Sequence, residues 1–503
     1  MKVVTFVWLS LIYCNVQAQN HFIKIIDFDS LSQSSQQIIR QGDDYLLGYY
    51  QTCKSDLESQ CSGVIRINDS GDIIDKVWLE KFSNNPNSIL LTDDKLLLTG
   101  EEYNFQTDAH EFLINELDKE FLDSITTISV SLKERPFVKM FQLSNTLWND
   151  KYVIAGNGRI VENSYNRGTV YVVNKDYEID TLLFFDFAIK NLSIWNVYVD
   201  QNNMLNVCLQ YQNNGGHYTS IMKFDTNYKM VWQWRSPEQL TRKAIPYGFE
   251  SAEGDLVVNL ENSIWSGSIN EVTLIKLDST IQWVAKWPGS YSSQIRYIDR
   301  LRLAKNGDII GTGRYSDLKH MPRLNSVPFI FRIDPNGNFK WVKVYYKDQE
   351  YNNGGLVQGG FSDVIEADNG DLIAVGRIHN VLDYDPIVNG PRNDWDIIVA
   401  RLGADGCIES GCEDINKIDI KVGIENVNIV DKLVTIYPNP FTDVINIYCD
   451  KKIERVDIYN IYGALLFSKS RSENIDLINY PSGVYFMNLI IDNKNVMKKV
   501  IKI

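Results

Sequence analysis

Short runs of alternating apolar and polar residues, joined by turns rich in Gly, Asn and Asp, cover most of the chain. "GDIIGTGR" (307–314) leads through a loop into "FIFRIDPNGNFKWVKVYY" (329–346), and "GDLIAVGR" (370–377) leads into "DIIVARLGADG" (396–406). A period of two is typical of β-strands with one buried face, and turns of this composition suit tight antiparallel hairpins. The pattern predicts an all-β protein.

The same unit recurs before residue 415. "GDLVVNLE" (254–261) starts another copy, and looser copies start with "DDYLLGYY", "DDKLLLTG", "NDKYVIAG" and "NNMLNVCLQ". The residues that open the turn after each third strand mark the units as Asn68, Asp118, Asn174, Asp225, Asp278, Asp334 and Gly403. Units of four antiparallel strands, repeated about every 50 residues, are typical of a β-propeller. We therefore expect a seven-bladed β-propeller over residues 19–415.

The last unit lacks an obvious fourth strand, because its third strand (396–402) runs into "GADGCIESGCED". A strand-like segment at 20–30, "NHFIKIIDFDS", precedes the first unit and resembles the fourth-strand segment "NFKWVKVYY". We expect this N-terminal strand to complete the last blade and so close the ring.

The pattern changes after a polar linker at 416–432. Residues 433–503 contain short strands around proline corners, which predicts a small antiparallel β-sandwich. Proline has no N–H, so Pro438 and Pro440 belong at an edge or corner. From residue 433 the chain has nine Lys/Arg and seven Asp/Glu, against 41 and 57 before it, and this change of sign supports a domain boundary.

Four motifs in this segment, "YPNPFTDVINI", "VDIYNIYGALL", "YPSGVYFMNL" and "KKVIKI", occur in one order. Together they resemble the type A C-terminal sorting domain of type IX secretion system cargo. The motif positions are Tyr437, Pro438, Asn439, Pro440, Tyr459, Gly463, Pro481, Ser482, Gly483 and Tyr485. Tyr480 departs from the family, which more often has leucine there.

The resemblance implies export across the outer membrane by the type IX machinery, usually with removal of the sorting domain. Cleavage would fall in the 416–432 linker, and the protein would be released or tethered to surface lipopolysaccharide. The N-terminus, "MKVVTFVWLSLIYCNVQAQ", predicts a signal peptide over residues 1–18 and passage through the periplasm. A lipid anchor on Cys14 is the alternative, although the bulky Tyr13 disfavours it. The mature chain has no other apolar run long enough to span a membrane.

Two pairs of cysteines are close in sequence, Cys53 with Cys61 and Cys407 with Cys412, and they are candidate disulfides in an exported protein. Cys208 and Cys449 lie in strand-like runs and are expected to be buried thiols. Zinc is the alternative for the cysteines, but it needs four ligands, and the sequence has no Cys-x-x-Cys pattern.

The net charge of −14 argues against nucleic acid as a partner. Acidic turns such as "DNGD" could suggest calcium, yet they recur singly, whereas Ca²⁺ needs about six to eight converging oxygens. We therefore interpret them as turn chemistry and leave calcium open. "IDPNGNFKW" (333–341) resembles the Asp-box turn of sialidases and other propellers, where it is structural. A sialidase would also need inner-strand arginines and a Tyr/Glu pair, which the sequence does not reveal.

Four fourth-strand tryptophans could stack on sugars, but their recurrence favours packing between blades; they are Trp78, Trp232, Trp283 and Trp341. Loops 211–218 and 346–355 could contact a ligand. The sequence has no nucleophile elbow, phosphate loop or His-Glu-x-x-His motif, so no catalytic, cofactor or metal residue is assigned.

We expect a binding or adhesion platform for a glycan or protein ligand at the propeller face. The alternative is a secreted hydrolase of polysaccharide or glycoprotein with an axial active site. Inner-strand carboxylates with shifted pKa values would favour the enzyme, and a channel of small apolar residues would favour a scaffold.

Overall fold

In the computed structural model the regular elements of the described residues are all β-strands. The described residues are 21–502 except 27–32, 53–59, 80–88, 105–108, 120–121, 123–125, 132–136, 161–165, 185–189, 214–215, 237–247, 252–253, 265–266, 276–280, 286, 288–294, 316–323, 347–356, 381–383, 386–389, 392–393, 410, 413–414, 418–433, 450–451, 461–463, 471–473 and 492–493. The predicted signal peptide, Cys14, Cys53, Asp278, Gly463 and most of the predicted linker lie outside them. The chain divides into two compact units, one mainly of residues 32–422 and the other mainly of 423–503.

Five separate antiparallel sheets of four strands follow one another in the larger unit, each with its strands in chain order. Their strands are β2 (Gln33–Gln41), β3 (Asp44–Thr52), β4 (Gln60–Ile67) and β5 (Ile73–Leu79); β6 (Ile89–Leu91), β7 (Lys95–Asn104), β8 (Ala109–Asp118) and β9 (Thr126–Ser131); β10 (Phe137–Trp148), β11 (Lys151–Ile160), β12 (Asn166–Val173) and β13 (Ile179–Phe184); β14 (Lys190–Val199), β15 (Leu205–Asn213), β16 (Gly216–Phe224) and β17 (Met230–Arg235); and β18 (Gly248–Glu250), β19 (Leu256–Ile264), β20 (Gly267–Ile275) and β21 (Ile281–Val284).

A nine-stranded sheet contains two more groups and two added strands, one of which is the N-terminal strand. The strands are β1 (Phe22–Ile26), β22 (Ile295–Leu303), β23 (Ile309–Tyr315), β24 (Leu324–Ile333), β25 (Phe339–Tyr346), β26 (Val357–Glu366), β27 (Leu372–Asn380), β30 (Asp394–Leu402) and β31 (Ile415–Lys417). The N-terminal β1 lies beside β30, in the order β1-β30-β27-β26, so it occupies the fourth place of the last group. Two short strands, β28 (Tyr384–Asp385) and β29 (Gly390–Pro391), form a separate hairpin.

Neighbouring groups pack face to face through apolar clusters. One cluster joins Leu46 and Val64 of the first group to Leu96 and Leu98 of the second. Sheets that pack in chain order with their first strands around an axis form a β-propeller.

The last group also meets the first, at a junction that we call the seam. Ile38 N donates to Asp363 Oδ2 at 3.2 Å, which links the first strands of these two groups. Arg401 Nη1 of β30 lies 2.8 Å from Asp69 Oδ1 in a turn of the first group. Lys24 Nζ of β1 lies 2.5 Å from Asp72 Oδ1. Strand β1 thus makes a charged contact across the seam in addition to its backbone pairing with β30.

Four of the turns after the third strands share one geometry. Asp334 Oδ1 accepts hydrogen bonds from the N–H groups of Asn336 (2.9 Å) and Asn338 (2.8 Å). Asn68, Asn174 and Asp225 cap their own turns in the same way. Such side-chain caps explain the recurrent Asn and Asp. Among the described residues, no cluster of His, Cys, Asp and Glu is suited to a metal ion.

The smaller unit has two antiparallel sheets that share one apolar core. Its strands are β32 (Val434–Tyr437), β33 (Val444–Cys449), β34 (Ile453–Asn460), β35 (Leu465–Ser470), β36 (Asn474–Asp476), β37 (Gly483–Ile491) and β38 (Lys494–Lys502). The sheets run β32-β33-β36 and β35-β34-β37-β38. Across the described part of both units, no helix has the length and apolar character needed to cross a membrane.

Candidate functional site

A cavity of about 540 Å³ lies where the first strands of five groups converge. We call it the axial cavity. Its lining includes residues with polar side chains from β2, β10, β14, β18 and β22, namely Gln37, Asn145, Thr146, Asn196, Tyr198, Glu250, Arg300 and Arg302. The volume is within the range of about 300–1,000 Å³ that is usual for small-molecule sites. The lining is therefore not the small, apolar surface expected of a passive scaffold.

Bulges help to place these polar residues. The ladders of β2, β14, β22 and β26 shift register just before Gln37, Asn196, Arg300 and Asp363, in the middle or second half of each strand. A bulge bends its strand and re-aims the side chains that follow. The same local irregularity in four groups thus places a polar residue at corresponding positions of the inner strands.

Two arginines share one carboxylate beside the cavity. Arg302 Nε and Nη2 donate to Asp363 Oδ1 (3.1 Å) and Oδ2 (2.7 Å), and Arg300 Nε lies 3.4 Å from Oδ1. The Asp363 side chain is fully buried, whereas 37% of the Arg302 side chain is exposed. Burial lowers the pKa of Arg302, but the Asp363 charge more than offsets this and holds the pKa above its usual value. One buried carboxylate thus pairs with both guanidinium groups.

Glu250 and Tyr198 line the cavity with atoms that lack partners. Glu250 Oε2 accepts a hydrogen bond from Gln201 N at 2.6 Å, whereas its Oε1 is buried without a partner among the described residues. Tyr198 Oη is likewise buried and unpartnered within that part of the chain. Burial raises the pKa of Glu250 and raises the pKa of Tyr198 well above its ordinary value. A buried polar atom without a hydrogen bond costs about 1–3 kcal/mol, so both atoms are suited to a ligand.

These four residues are not evident from the sequence. Neither inner-strand arginines nor a Tyr/Glu pair were predicted, but Arg300, Arg302, Tyr198 and Glu250 line one cavity. The available signal was the repeat itself: aligned at the bulge, the inner strands show Gln37, Asn196, Arg300 and Asp363 at corresponding positions.

The predicted sorting-domain residues form the end of the smaller unit. Tyr437, Pro438, Asn439 and Pro440 make an exposed corner between β32 and β33, with both X–Pro bonds cis. The Asn439 side chain joins this corner to the last strand, β38, through two hydrogen bonds. Its Oδ1 accepts from Ile501 N at 2.8 Å, and its Nδ2 donates to Lys499 O at 3.2 Å.

The turn that contains Pro481, Ser482 and Gly483 is also stabilised by the last strand, β38. Lys502 Nζ is buried and donates to the carbonyl groups of Leu477 (2.8 Å), Ile478 (3.2 Å) and Tyr480 (2.7 Å). Pro481, Ser482 and Gly483 follow as an exposed bend, and Tyr485 Oη donates back to Pro481 O. Tyr459 lies in β34 and is half-buried.

Cys407 and Cys412 form a disulfide with Cα atoms 5.6 Å apart. Cys61 is also disulfide-bonded, but its predicted partner Cys53 lies outside the described residues, so that pairing stays a prediction. Cys208 is a buried thiol, as expected, and Cys449 is a half-buried one.

Two of the four tryptophans clearly contact the next group. Trp283 Nε1 donates to Pro335 O at 3.1 Å and its ring covers Gly337, while the Trp341 ring covers Gly406. Phe22 of β1 covers Gly71 in the corresponding way. These aromatic residues pack between groups rather than forming an open sugar platform.

Residues 435–503 match the family model described as the secretion system C-terminal sorting domain. No curated protein matches the chain. The chain is similar to a sialidase of Trypanosoma rangeli solved with the inhibitor DANA, at 10% identity over 86% of each chain with a TM-score of 0.41. It is similar to the β-propeller domain of the Trilobed protease from Pyrococcus furiosus, at 8% identity over 73% of this chain and 93% of that one, with a TM-score of 0.42. A third likeness is to Kuenenia stuttgartiensis hydrazine synthase, at 11% identity over 79% and 100% of the two chains, with a TM-score of 0.42. At these identities and TM-scores, none of the three supports a conclusion about activity.

Proposed function

Because residues 435–503 are the sorting domain of type IX secretion cargo, we propose that the exported part is a seven-bladed propeller that binds a polar ligand in its axial cavity. It acts as a binding or adhesion platform on the cell surface or in the medium. A signal peptide at residues 1–18 directs the chain into the periplasm. The sorting domain is later removed by cleavage in the 416–432 linker.

The lining of the axial cavity is the observation that carries the binding role. Arg302, Glu250 and Tyr198 are held by three different groups of the propeller, and each keeps a polar atom without a protein partner among the described residues. Binding sites in proteins combine a preformed concavity with a few such convergent polar groups. A propeller that only presented its outer surface would have no use for them.

A blocked cavity tests the binding role. Thr146 lines the cavity from β10, and Thr146→Trp would fill part of it without altering a charged group. Thr126→Trp, on the exposed outer strand β9, is the matched control. On a glycan and protein array, we expect Thr146→Trp to lose the binding of the full chain, and the control to keep it. Equal binding by both variants would place the ligand elsewhere.

Deleting Val434–Ile503 tests the export route. We expect the shortened protein to accumulate in the periplasm, because the type IX machinery no longer recognises it. Cell fractionation and surface protease treatment measure this. Unchanged delivery to the surface or medium would refute the role of the sorting domain in this chain.

A hydrolase is the second candidate, favoured by Glu250 alone. A raised pKa keeps a carboxyl group protonated toward neutral pH, as a general acid requires. Glycoside hydrolysis commonly needs a second carboxylate, and Glu250 is the one carboxyl residue among the described residues that line the cavity. Turnover on a hydrolase panel that disappears in Glu250→Gln would support the enzyme, and no turnover by the wild type would dismiss it.

A further inference from the structure

We propose that the ligand of the axial cavity is a neutral saccharide, recognised through the hydroxyl groups and the apolar faces of its sugar rings. This inference rests on the proposed binding role and specifies its chemistry. It follows from three features of one cavity: two buried polar atoms without partners among the described residues, arginines that already pair with a buried carboxylate, and apolar side chains that share the lining.

Tyr198 of β14 and Glu250 of β18 supply the two polar atoms. Glu250 Oε2 already accepts a hydrogen bond from Gln201 N, whereas Glu250 Oε1 and Tyr198 Oη are buried without partners in the described part of the chain. Burial is the main reason that the pKa of Tyr198 is raised, and Glu250 is one of the nearby groups that raise it further. The two side chains are therefore close enough to contact one small ligand.

These two atoms require a ligand group that both donates and accepts hydrogen bonds. An ionised carboxylate only accepts, so the ligand must donate to Glu250 Oε1, whereas the Tyr198 hydroxyl group can donate to an acceptor on the ligand. Sugar hydroxyl groups do both. A simple inorganic anion would not donate to Glu250. A protonated amine would offer no acceptor to Tyr198, and its positive charge would share the cavity with two arginines.

The arginines of the lining do not require a charged ligand. Arg302 donates two hydrogen bonds to Asp363, and Arg300 Nε lies 3.4 Å from the same carboxylate. Both guanidinium groups thus have a charge partner inside the protein. The ligand therefore needs to supply hydrogen bonds to the lining, and it does not need to supply a charge.

Apolar side chains form the rest of the lining, and they are Val197, Val199, Phe249, Leu301 and Leu303. A sugar ring presents apolar C–H faces with hydroxyl groups around its rim, so it matches a cavity that is apolar in one part and polar in another. A wholly apolar ligand would leave Glu250 and Tyr198 unsatisfied. The volume of about 540 Å³ has room for about one or two sugar rings, so we expect the end of a saccharide to be recognised.

Isothermal titration of the full chain tests the ligand class. The neutral probes are cellobiose, maltose, lactose and mannobiose, and the comparison probes are digalacturonate and acetyl-tetraalanine amide. We expect at least one neutral disaccharide to bind at least about 10-fold tighter than either comparison probe. Its affinity should change by less than about 2-fold as salt is raised, because no ion pair with the ligand is formed.

Variants assign this binding to the two polar atoms. Tyr198→Phe should weaken the disaccharide about 5-fold, since one hydrogen bond to a sugar hydroxyl group is lost. Glu250→Gln keeps the shape of the side chain but removes the charged acceptor, and it should weaken binding by about 5-fold or more. Tyr177→Phe is the matched control, because Tyr177 Oη is also buried without a partner in the described structure but lies outside the cavity lining. The control should bind as the wild type does.

Three results overturn the inference: no binding of any neutral disaccharide, tighter binding of the acid or the peptide, or equal affinities of Tyr198→Phe and Tyr177→Phe. The proposed binding role has its own test, because it survives if another array ligand is lost in Thr146→Trp. It fails if no ligand depends on the cavity, whatever the chemistry of that ligand.

Discussion

The seam and the axial cavity are neighbouring regions of the propeller that both bury ionisable groups, and they satisfy them differently. At the seam, Asp363 accepts from Ile38 N of the first group, and both of its oxygens also pair with Arg302 of the preceding group. Asp371 Oδ2 accepts from Arg401 Nε at 2.9 Å. In the cavity wall, Glu250 and Tyr198 each have a buried atom that lacks a partner among the described residues. Burying a polar group costs free energy unless the group is paired. The paired carboxylates therefore stabilise the ring, whereas the unpartnered atoms of Glu250 and Tyr198 are suited to bind a ligand.

The largest effect should come from Asp363, which contacts both the first group at the seam and the arginines of β22. Asp363→Asn removes the carboxylate that pairs with Arg302 at a fully buried position. We expect a loss of about 3–5 kcal/mol in the free energy of unfolding, since the Arg302 guanidinium group loses its charge partner. Chemical denaturation of the full chain measures it.

Asp299→Asn is the matched control. Its partnership with Arg314 is partly exposed, so the change should stay within about 1 kcal/mol. If Asp363→Asn and Asp299→Asn were equally stable, the pairing of Asp363 would not contribute to the stability of the fold.

A smaller loss should follow from crowding β1 at the seam. Gly71 has a φ of +75°, and a Cβ added there would come within 2.2 Å of the Phe22 ring. Gly71→Ala should cost about 1–3 kcal/mol for displacing Phe22, beyond the strain of the left-handed backbone. Thermal unfolding is the measurement.

Gly411→Ala isolates the backbone strain. Gly411 has a φ of +83°, but its added Cβ meets nothing within 4 Å. Its loss should be limited to about 1–2 kcal/mol. A Gly71→Ala variant no less stable than this control would show that Phe22 does not press on the first group.

The two regions should also respond to pH with opposite signs. Burial raises the pKa of Asp371, but hydrogen bonds from Asn369, Arg401 and His21 outweigh burial, so its pKa is lowered. The stability that Asp371 contributes is present above its ordinary pKa and is lost as pH falls through the lowered value. Burial raises the pKa of Glu250, so ionising it destabilises the fold as pH rises from the ordinary toward the raised pKa.

Glu250→Gln tests this sign. The variant should be more stable than the wild type by up to about 1 kcal/mol at pH 7, and the difference should vanish at about pH 3, well below the ordinary pKa of glutamate, where Glu250 is protonated in both states. Unfolding measured at both pH values checks this. A variant less stable than the wild type at pH 7 would mean that the hydrogen bond from Gln201 N to the carboxylate outweighs the cost of burying its charge.

The fold was largely predictable from the sequence, because a repeated two-residue period and capped turns are local signals. The all-β propeller class and the sorting domain are both confirmed. The cap at Asp334 shows why, since its geometry needs only the residues of its own turn.

The cavity was not predictable in the same way. Tyr198, Glu250 and Arg302 belong to three groups, and only closure of the sheets around an axis brings them to one wall. Tyr198 and Arg302 also follow bulges in β14 and β22, which an alternating pattern conceals. The contact of Lys502 with three carbonyl groups could not be predicted for the same reason, since it joins segments that are distant in sequence.

The smallest expected change is the most direct test of the central claim, that Tyr198 and Glu250 in the cavity are kept for a ligand and do not hold the fold. The measurement is the free energy of unfolding of Tyr198→Phe without ligand. The substitution removes only a hydroxyl group that has no partner among the described residues. We expect a stability equal to that of the wild type within about 0.5 kcal/mol, or slightly higher. A loss of about 1–3 kcal/mol would show that the hydroxyl group makes a structural hydrogen bond, and it would contradict a role kept for the ligand.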